Sequence, residues 1–297
     1  MKPAEFEYHR PRKIEDALSL LTKFGQEGKI LAGGQSLMPL MNFRLAQPAH
    51  LVDINFIDGL DYIKSENGSV KIGCLARQSR LLNEPLIRQR CPLLAEALAQ
   101  VGYEQTRNRG TLCGSLAHAD PAAELPLIAV TLDAVMTYRG GGADAEVTAR
   151  DFFTGLMTTS LPAGACLTAV RFPVWHGESR VGVGFHEVNA RRSDFAFVAA
   201  AAQVALDESG KAKRIAIGIG AATDVPLRLD AAERQLTGGA LDEPKVMEAV
   251  RGALAGREML SDLHASAEYR RRAAVTLAAR AVADAKANAL RSKARAH

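Results

Sequence analysis

Ala32-Gly33-Gly34-Gln35-Ser36 is one of two glycine-bearing segments that decide the fold of this chain; the other is Thr111-Leu112-Cys113-Gly114-Ser115. Each segment borders an apolar stretch and offers consecutive backbone N–H groups with little side chain in the way. Because glycine allows positive φ and close backbone approach, such a turn can direct its N–H donors into a concavity that suits an anion. Two such turns, with an acidic segment from Asp120 to Glu124 after the second, predict a pyrophosphate held from both sides.

The first segment would donate its N–H groups at Gln35 and Ser36 and the Ser36 hydroxyl to the diphosphate. The second segment would donate from the opposite side, and each charge-assisted hydrogen bond contributes roughly 1.5–3 kcal/mol. No Lys-Ser or Lys-Thr pair follows either segment, which excludes a P-loop. The alternative is two ordinary strand-to-helix turns, and the pairing with the acidic segment favours the anion site. The expected contacts are Ala32, Gly33, Gly34, Gln35, Ser36, Thr111, Gly114 and Ser115.

The composition is that of a globular protein. The chain has 297 residues, enough for two domains, with 47% hydrophobic and 24% charged residues. No apolar leader opens the sequence, and the longest apolar run is too short to span a bilayer, so we expect a cytoplasmic protein without a membrane span. Four scattered cysteines, without a Cys-x-x-Cys motif or neighbouring histidines, argue against zinc and against an iron–sulfur cluster on this chain. We therefore predict no metal ligands.

Positive charge is concentrated in the C-terminal segment, which contributes to a net charge of +4. A nucleic-acid or membrane arm is one interpretation. A solvated helix face or a surface for an acidic partner is favoured, because no aromatic residues alternate with the charges. We therefore predict no nucleic-acid partner. The charged residues are Arg270, Arg271, Arg272, Arg280, Lys286, Arg291, Lys293 and Arg295.

Hydrophobic periodicity predicts a mixture of helices and strands. Asn67-Gly68 indicates a hairpin, a helix with a break at Pro92 is expected over Leu81–Ala99, and another helix is expected from Pro121 to Leu132. The pattern changes near Trp175, where we place a boundary between domains 1–175 and 176–297. Beyond it an antiparallel meander precedes a helical remainder. No nucleophile elbow or other catalytic constellation is present, so we predict a chain that binds a cofactor and has no catalytic residues of its own.

The two glycine segments, the run from Arg107 to Glu124 and the later Arg191-Arg192-Ser193-Asp194-Phe195-Ala196 resemble the medium, FAD-binding subunit of molybdenum hydroxylases. That family includes carbon monoxide dehydrogenase and xanthine dehydrogenase, and the resemblance extends over essentially the whole chain. It implies an α+β fold: a PCMH/vanillyl-alcohol-oxidase-type FAD-binding domain in two subdomains, then a C-terminal domain with a three-stranded antiparallel sheet and helices.

The resemblance also implies a non-covalent FAD whose pyrophosphate lies between the glycine segments. Glu124 matches an acidic position that helps to hold FAD, and Leu167 matches an apolar position beside the isoalloxazine. Ile30, Leu31 and Leu37 flank the first segment and would line the same groove. Cys113 stands where the family usually has glycine, and Ser115 where many members have asparagine. A cysteine fits at 113 only if its backbone avoids a glycine-only conformation.

The implied function is electron transfer within a three-subunit enzyme. A large partner subunit would hold molybdopterin, a small partner subunit would hold two [2Fe–2S] clusters, and electrons would pass through the FAD of this chain to an external acceptor. One alternative is a self-sufficient FAD oxidase of the same fold. Another is a non-catalytic interaction module that has lost FAD.

Overall fold

The computed structural model describes residues 1–140, 143–175, 177–178 and 180–292. His176 at the predicted boundary and the basic residues Lys293 and Arg295 lie outside the described residues. The described residues form three main β-sheets, of three, five and four strands. None of its helices is both long and apolar enough to cross a membrane.

The first sheet is parallel, with the strand order β1-β3-β2. Helix α1 packs on it through Ile14, Ala17 and Leu21, the helically spaced apolar face. Gly25, at φ +52°, ends that helix. The elements are β1 (Glu7–His9), α1 (Ile14–Phe24), a 3₁₀ turn (Gly25–Glu27), β2 (Gly28–Leu31), α2 (Leu37–Asn42) and β3 (His50–Asp53).

The second sheet is antiparallel, with the order β4-β5-β10-β6-β7. Its first hairpin turns at Asn67 and Gly68, which have φ values of +45° and +75° and confirm the predicted turn. A separate two-stranded hairpin lies before β10. The strands are β4 (Ile63–Glu66), β5 (Ser69–Gly73), β6 (Val135–Gly140), β7 (Ala143–Thr148), β8 (Phe153–Gly155), β9 (Thr158–Thr159) and β10 (Cys166–Pro173).

Short helices connect β5 to β6. The single helix expected over Leu81–Ala99 is instead divided at Pro85 as well as at Pro92, because a residue before proline avoids the helical region and Glu84 is extended (ψ 119°). The helix expected from Pro121 begins at Glu124, since the Asp120 carboxylate accepts the Ala122 N–H (2.9 Å) in a turn. The helices are α3 (Gln78–Asn83), α4 (Pro85–Arg90), α5 (Pro92–Gln100), α6 (Glu104–Arg109), α7 (Leu112–His118), α8 (Glu124–Thr131) and, after β7, α9 (Ala149–Phe152).

The C-terminal sheet is the predicted antiparallel meander of three strands. A fourth strand of two residues pairs with the third at one edge of the sheet. Three helices follow and cover one face. The elements are β11 (Val181–Asn189), β12 (Ala196–Leu206), β13 (Ala212–Gly220), β14 (Leu227–Arg228), α10 (Asp230–Leu236), α11 (Glu243–Leu254) and α12 (Ala267–Ser292).

Strand β12 separates two hydrophobic cores. Ala200, Ala202 and Val204 face the core beneath α10, α11 and α12. Ala199 and Ala201 face the opposite core, which α5 and α8 contribute to from the N-terminal part of the chain. The alternation follows the two-residue period of a strand, so this sheet is buried on both faces.

The contact between β11 and α12 is a glycine–alanine seam. A Cβ atom at Gly184 would collide with the carbonyl of Ala281, and one at Gly182 with the backbone of Ala285 and Ala289. The three alanines recur every four residues and therefore share one face of the helix. Small residues on both sides let helix and sheet approach closely.

The C-terminal arginines are not uniformly the solvated face that the sequence favoured. Arg270 is buried and donates hydrogen bonds to the carbonyls of Phe197 and Ala221, the second at 2.7 Å. Arg271 donates to the carbonyls of Leu254 and Arg257. These two side chains fasten α12 to neighbouring segments, because a guanidinium can serve several backbone acceptors at once.

Candidate functional site

The first glycine segment links β2 to α2 and lies directly against Arg109 and Gly110, the two residues that precede the second segment. A Cβ atom at Gly33 would lie 2.5 Å from the carbonyl oxygen of Arg109 and 2.8 Å from the Cα of Gly110. Gly34 adopts φ +71°, which favours glycine. The structure thus brings the first segment against the backbone that leads into the second, and this backbone requires glycine at position 33.

The first glycine segment has backbone N–H groups that are not used by the fold. Its carbonyls at Gly34 and Ser36 accept the N–H groups of Met38 (3.0 Å) and Leu40 (3.2 Å) as α2 begins, and the Gln35 amide donates to the carbonyl of Gly33 (3.1 Å). Within the described residues the backbone N–H groups of Gln35 and Ser36 meet no acceptor. Unpaired N–H groups at a glycine turn before a helix are an anion-binding arrangement.

The second segment is a helix start, which corrects the expectation of a glycine loop. Thr111 is the N-cap of α7, and its hydroxyl accepts the N–H of Gly114 at 3.0 Å. The N–H of Ser115 donates to the carbonyl of Thr111 at 3.2 Å. The N–H donors predicted at Gly114 and Ser115 are therefore used within the helix, whereas the Ser115 side chain remains partly exposed.

Cys113 lies inside α7, where its backbone needs no glycine-only conformation. Its side chain is 2% exposed and packs in the N-terminal core. Burial raises the pKa of its thiol, and Cys74 and Cys166 lie close enough to interact with it electrostatically. The side chain at this position is therefore a core residue.

A polar network that the sequence did not predict ties the first glycine segment to Arg109, two residues before the second segment. The Asn55 amide donates to the carbonyl of Ala32 (2.8 Å), and the Arg77 guanidinium donates both to the Asn55 side-chain oxygen and to the carbonyl of Arg109. Burial lowers the pKa of Arg77, with a smaller contribution from the Arg109 charge. We call Asn55 and Arg77 the segment clamp.

The base of the segment clamp is Asp53, at the end of β3. One Asp53 carboxylate oxygen accepts the backbone and side-chain N–H groups of Asn55 (2.9 and 2.6 Å), and the other accepts the Tyr8 hydroxyl (2.6 Å). Three elements thus meet at the clamp: β1, β3 and the start of α3. In the sequence, the pattern Asp53-x-Asn55 after an apolar strand is the signal that could have indicated this network.

Glu124 begins α8 and is partly buried. Burial is the main cause that raises the pKa of its carboxyl to about 8, and the nearby carboxyls of Glu187 and Asp120 add to the effect. Burial also raises the pKa of Glu187 to about 7; the Asn189 amide donates to one of its oxygens at 2.9 Å. Acidic groups with such raised pKa values often mark functional sites, although structural networks produce them too.

The remaining predicted residues are apolar. Ile30 and Leu31 are half-buried in β2, immediately before the first segment, and Leu37 begins α2 immediately after it. Leu167 is buried in β10 opposite Tyr138, one residue before the carbonyl that accepts the Cys74 N–H. The first three therefore adjoin the segment, and Leu167 belongs to the central sheet.

Comparison with known proteins shows the class of protein to which this chain belongs. A family model described as the FAD binding domain in molybdopterin dehydrogenase matches residues 4–175, and a model described as the CO dehydrogenase flavoprotein C-terminal domain matches residues 184–285. These matches define an FAD-binding flavoprotein component of an oxidoreductase.

Relatives that match nearly the whole chain show its family. The chain is 37% identical to the 6-hydroxypseudooxynicotine dehydrogenase complex subunit alpha of Paenarthrobacter nicotinovorans over 96% of each chain. It is 37% identical to the carbon monoxide dehydrogenase medium chain of Afipia carboxidovorans over 97% of this chain and 99% of that protein. The structure matches reconstituted CO dehydrogenase from Oligotropha carboxidovorans with a TM-score of 0.93 and 36% identity, covering 97% of this chain and 100% of that one. The chain belongs to the FAD-binding medium subunits of molybdenum hydroxylases of the carbon monoxide dehydrogenase type.

Proposed function

We propose that this chain transfers electrons within a heterotrimeric molybdenum hydroxylase. It would receive them from [2Fe–2S] clusters of a small partner subunit, after substrate oxidation at a molybdopterin centre in a large partner subunit, and deliver them from its FAD to an external acceptor. The observation that supports this most directly is the donor-bearing glycine segment, clamped to the backbone just before the second segment, in a chain that matches medium subunits over nearly its whole length.

The donor set fits FAD. We propose that Ala32, Gly33, Gly34, Gln35 and Ser36 bind the pyrophosphate, with the N–H groups of Gln35 and Ser36 as its main donors. FAD, when bound, supplies chemistry that joins one-electron donors to one- or two-electron acceptors. The segment clamp holds the two walls of the site at a fixed spacing, so little ordering is needed on binding.

The remaining proposed contacts with FAD follow from where each residue lies in the structure. Ser115 would donate through its hydroxyl, and Thr111, Cys113 and Gly114 would contact the cofactor through the α7 backbone. A Glu124 carboxyl that stays protonated near neutral pH can donate a hydrogen bond as well as accept one. Ile30, Leu31 and Leu37 would line the groove, and Leu167 would lie beside the isoalloxazine.

Attachment of FAD should be non-covalent. All four cysteines are buried and free. Burial raises the pKa of each thiol, to about 12 for Cys91 and Cys166, so reactive thiolate is scarce. These four cysteines also could not supply the eight thiolates that two [2Fe–2S] clusters need, at four each. This supports the placement of the clusters on a partner subunit. Buried free thiols favour a reducing compartment, and we propose the cytoplasm.

We also propose that the functional domains divide at residues 175 and 176, with the FAD site in 1–175. The C-terminal domain, 176–297, would then act as a packing partner of α5 and α8.

The experiment is purification of the chain without an affinity tag, followed by flavin and metal analysis. We expect FAD that acid precipitation releases, no molybdenum or iron, and no oxidation of heterocycles, aldehydes or carbon monoxide until both partner subunits are co-expressed. A flavin-loaded chain that oxidises such a substrate alone would replace this proposal with the oxidase alternative. A colourless chain that FAD cannot reconstitute would favour the interaction module.

A matched pair of variants locates the site. Gly34→Ala should lose FAD, because φ +71° strains alanine and the added Cβ lies 3.1 Å from Leu31 and 3.2 Å from Met38. Gly210→Ala is the control: Gly210 has φ +82° with open space around it, in the turn between β12 and β13. Equal FAD content in the two variants would contradict the assignment of the first segment.

A further inference from the structure

A cluster of three side chains that carry potential metal-ligand atoms lies on the first sheet, separate from the glycine segments. Glu7 and His9 extend from β1, and His50 begins β3, with Glu7 opposite His50 in the parallel register. His9 Nε2 and His50 Nδ1 are 3.2 Å apart, and Glu7 Oε2 lies 3.7 Å from the first and 3.4 Å from the second. The three ligand atoms thus form a compact triangle.

The size of this triangle matches tetrahedral zinc. With Zn–N and Zn–O bonds of about 2.0–2.1 Å, two ligands of a tetrahedral ion are separated by roughly 3.3–3.4 Å. The observed separations are 3.2, 3.4 and 3.7 Å, and they leave a fourth position open. A shared proton can join one pair of these atoms, whereas a cation near the centre satisfies all three.

The imidazoles are held in place before any ion arrives. Phe24, at the end of α1, stacks on the His50 ring at 3.7 Å between centroids and 14° between planes, and packs tilted against His9 at 4.7 Å. The side chains of His9 and His50 are 21% and 17% exposed, and that of Glu7 is 73% exposed. The two nitrogen ligands are therefore fixed, and the carboxylate closes from the solvent side.

We propose that Glu7, His9 and His50 form a Zn²⁺ site with water as the fourth ligand, which fastens β1 to β3. Two imidazoles and one carboxylate are a ligand set that zinc accepts. Within the described residues His9 Nδ1 and His50 Nε2 make no hydrogen bond that would raise ligand basicity, so the affinity should be micromolar. The same two strands carry Tyr8 and Asp53, so the ion would also support the base of the segment clamp.

The test uses the full, untagged, flavin-loaded chain after treatment with EDTA. Calorimetric titration with ZnCl₂ should give one site per chain, and Co²⁺ should give the intense visible absorption of a tetrahedral complex. At about one hundred times the dissociation constant, Zn²⁺ should raise the melting temperature by roughly 5 °C. No binding below millimolar zinc, or a stoichiometry other than one, would overturn the site.

Variants assign the ligands. Glu7→Gln alters a largely exposed side chain and should weaken zinc binding about tenfold, while His9→Ala and His50→Ala should weaken it more than about a hundredfold. The control is His186→Ala, which removes a histidine paired with one carboxylate, Asp284, at 2.8 Å, and should leave the affinity unchanged. If His50→Ala fails to fold, Glu7→Gln still decides: unchanged zinc affinity in that variant would refute the site.

Discussion

Replacing Arg77 with methionine tests whether the segment clamp prepares the site for FAD. The change keeps most of the apolar stem and removes the guanidinium that joins Asn55 to the carbonyl of Arg109. Ala32 then keeps its hydrogen bond to Asn55 (2.8 Å), but Asn55 loses its connection to Arg109. The two walls of the site are then joined less firmly, and FAD must order them on binding.

The magnitude follows from the hydrogen bonds removed. Each charge-assisted hydrogen bond contributes about 1.5–3 kcal/mol, and Arg77 makes one to the Asn55 side chain and one to the Arg109 carbonyl. Arg77 is only half-buried, so water replaces part of this interaction and a net loss of about 2 kcal/mol is expected. At 1.4 kcal/mol per factor of ten, FAD should bind roughly 30-fold more weakly.

The assay is titration of the flavin-free protein with FAD, followed by flavin fluorescence, alongside the melting temperature of the flavin-free protein. Arg80→Met is the matched control, since Arg80 lies on the first turn of α3, just after Arg77, and its side chain pairs with Asp61 at 2.6 Å. Wild-type FAD affinity in Arg77→Met would refute the clamp. A lower melting temperature with unchanged affinity would reduce Arg77 to a purely structural role.

Three further predictions concern single residues. Gly33→Ala should lower both FAD content and melting temperature, because its Cβ would press on the Arg109 carbonyl at 2.5 Å; a variant that keeps both would contradict the contact. Cys113→Gly should destabilise the fold by about 2 kcal/mol, from a lost core side chain and a helix glycine, measured by urea unfolding; unchanged stability would place the thiol outside the core. The raised pKa of Glu124, about 8 against 4.5, means that the folded chain retains a proton that the unfolded chain releases, so stability should fall as pH rises between these values. Glu124→Gln should flatten that dependence in melting curves recorded across this range, and parallel curves for the two proteins would contradict it.

Local patterns predicted the parts of the fold that local chemistry determines. The Asn67-Gly68 turn and the C-terminal meander follow from turn residues and periodicity. The start of α7 was mistaken for a loop because Thr111 caps a helix that has glycine, not glutamate, three residues later.

Long-range features had no such signal. The segment clamp joins residues 22 and 32 positions apart, and the ring contact between His9 and His50 spans 41 positions. Both depend on which strands pair and on their register. Strand β1 has only three residues, too few for periodicity to reveal.

The glycine–alanine seam has a consequence during protein synthesis. The ribosome makes β11 and β12 before α12, so the sheet face that α12 will cover is exposed to solvent for a time. A face of leucine or isoleucine would present a large apolar surface in that interval and favour aggregation. Gly182, Gly184 and the alanines of β12 reduce this surface on β11 and β12, whereas Ile215, Ile217 and Ile219 of β13 belong to the same core and still have to be covered by the helices.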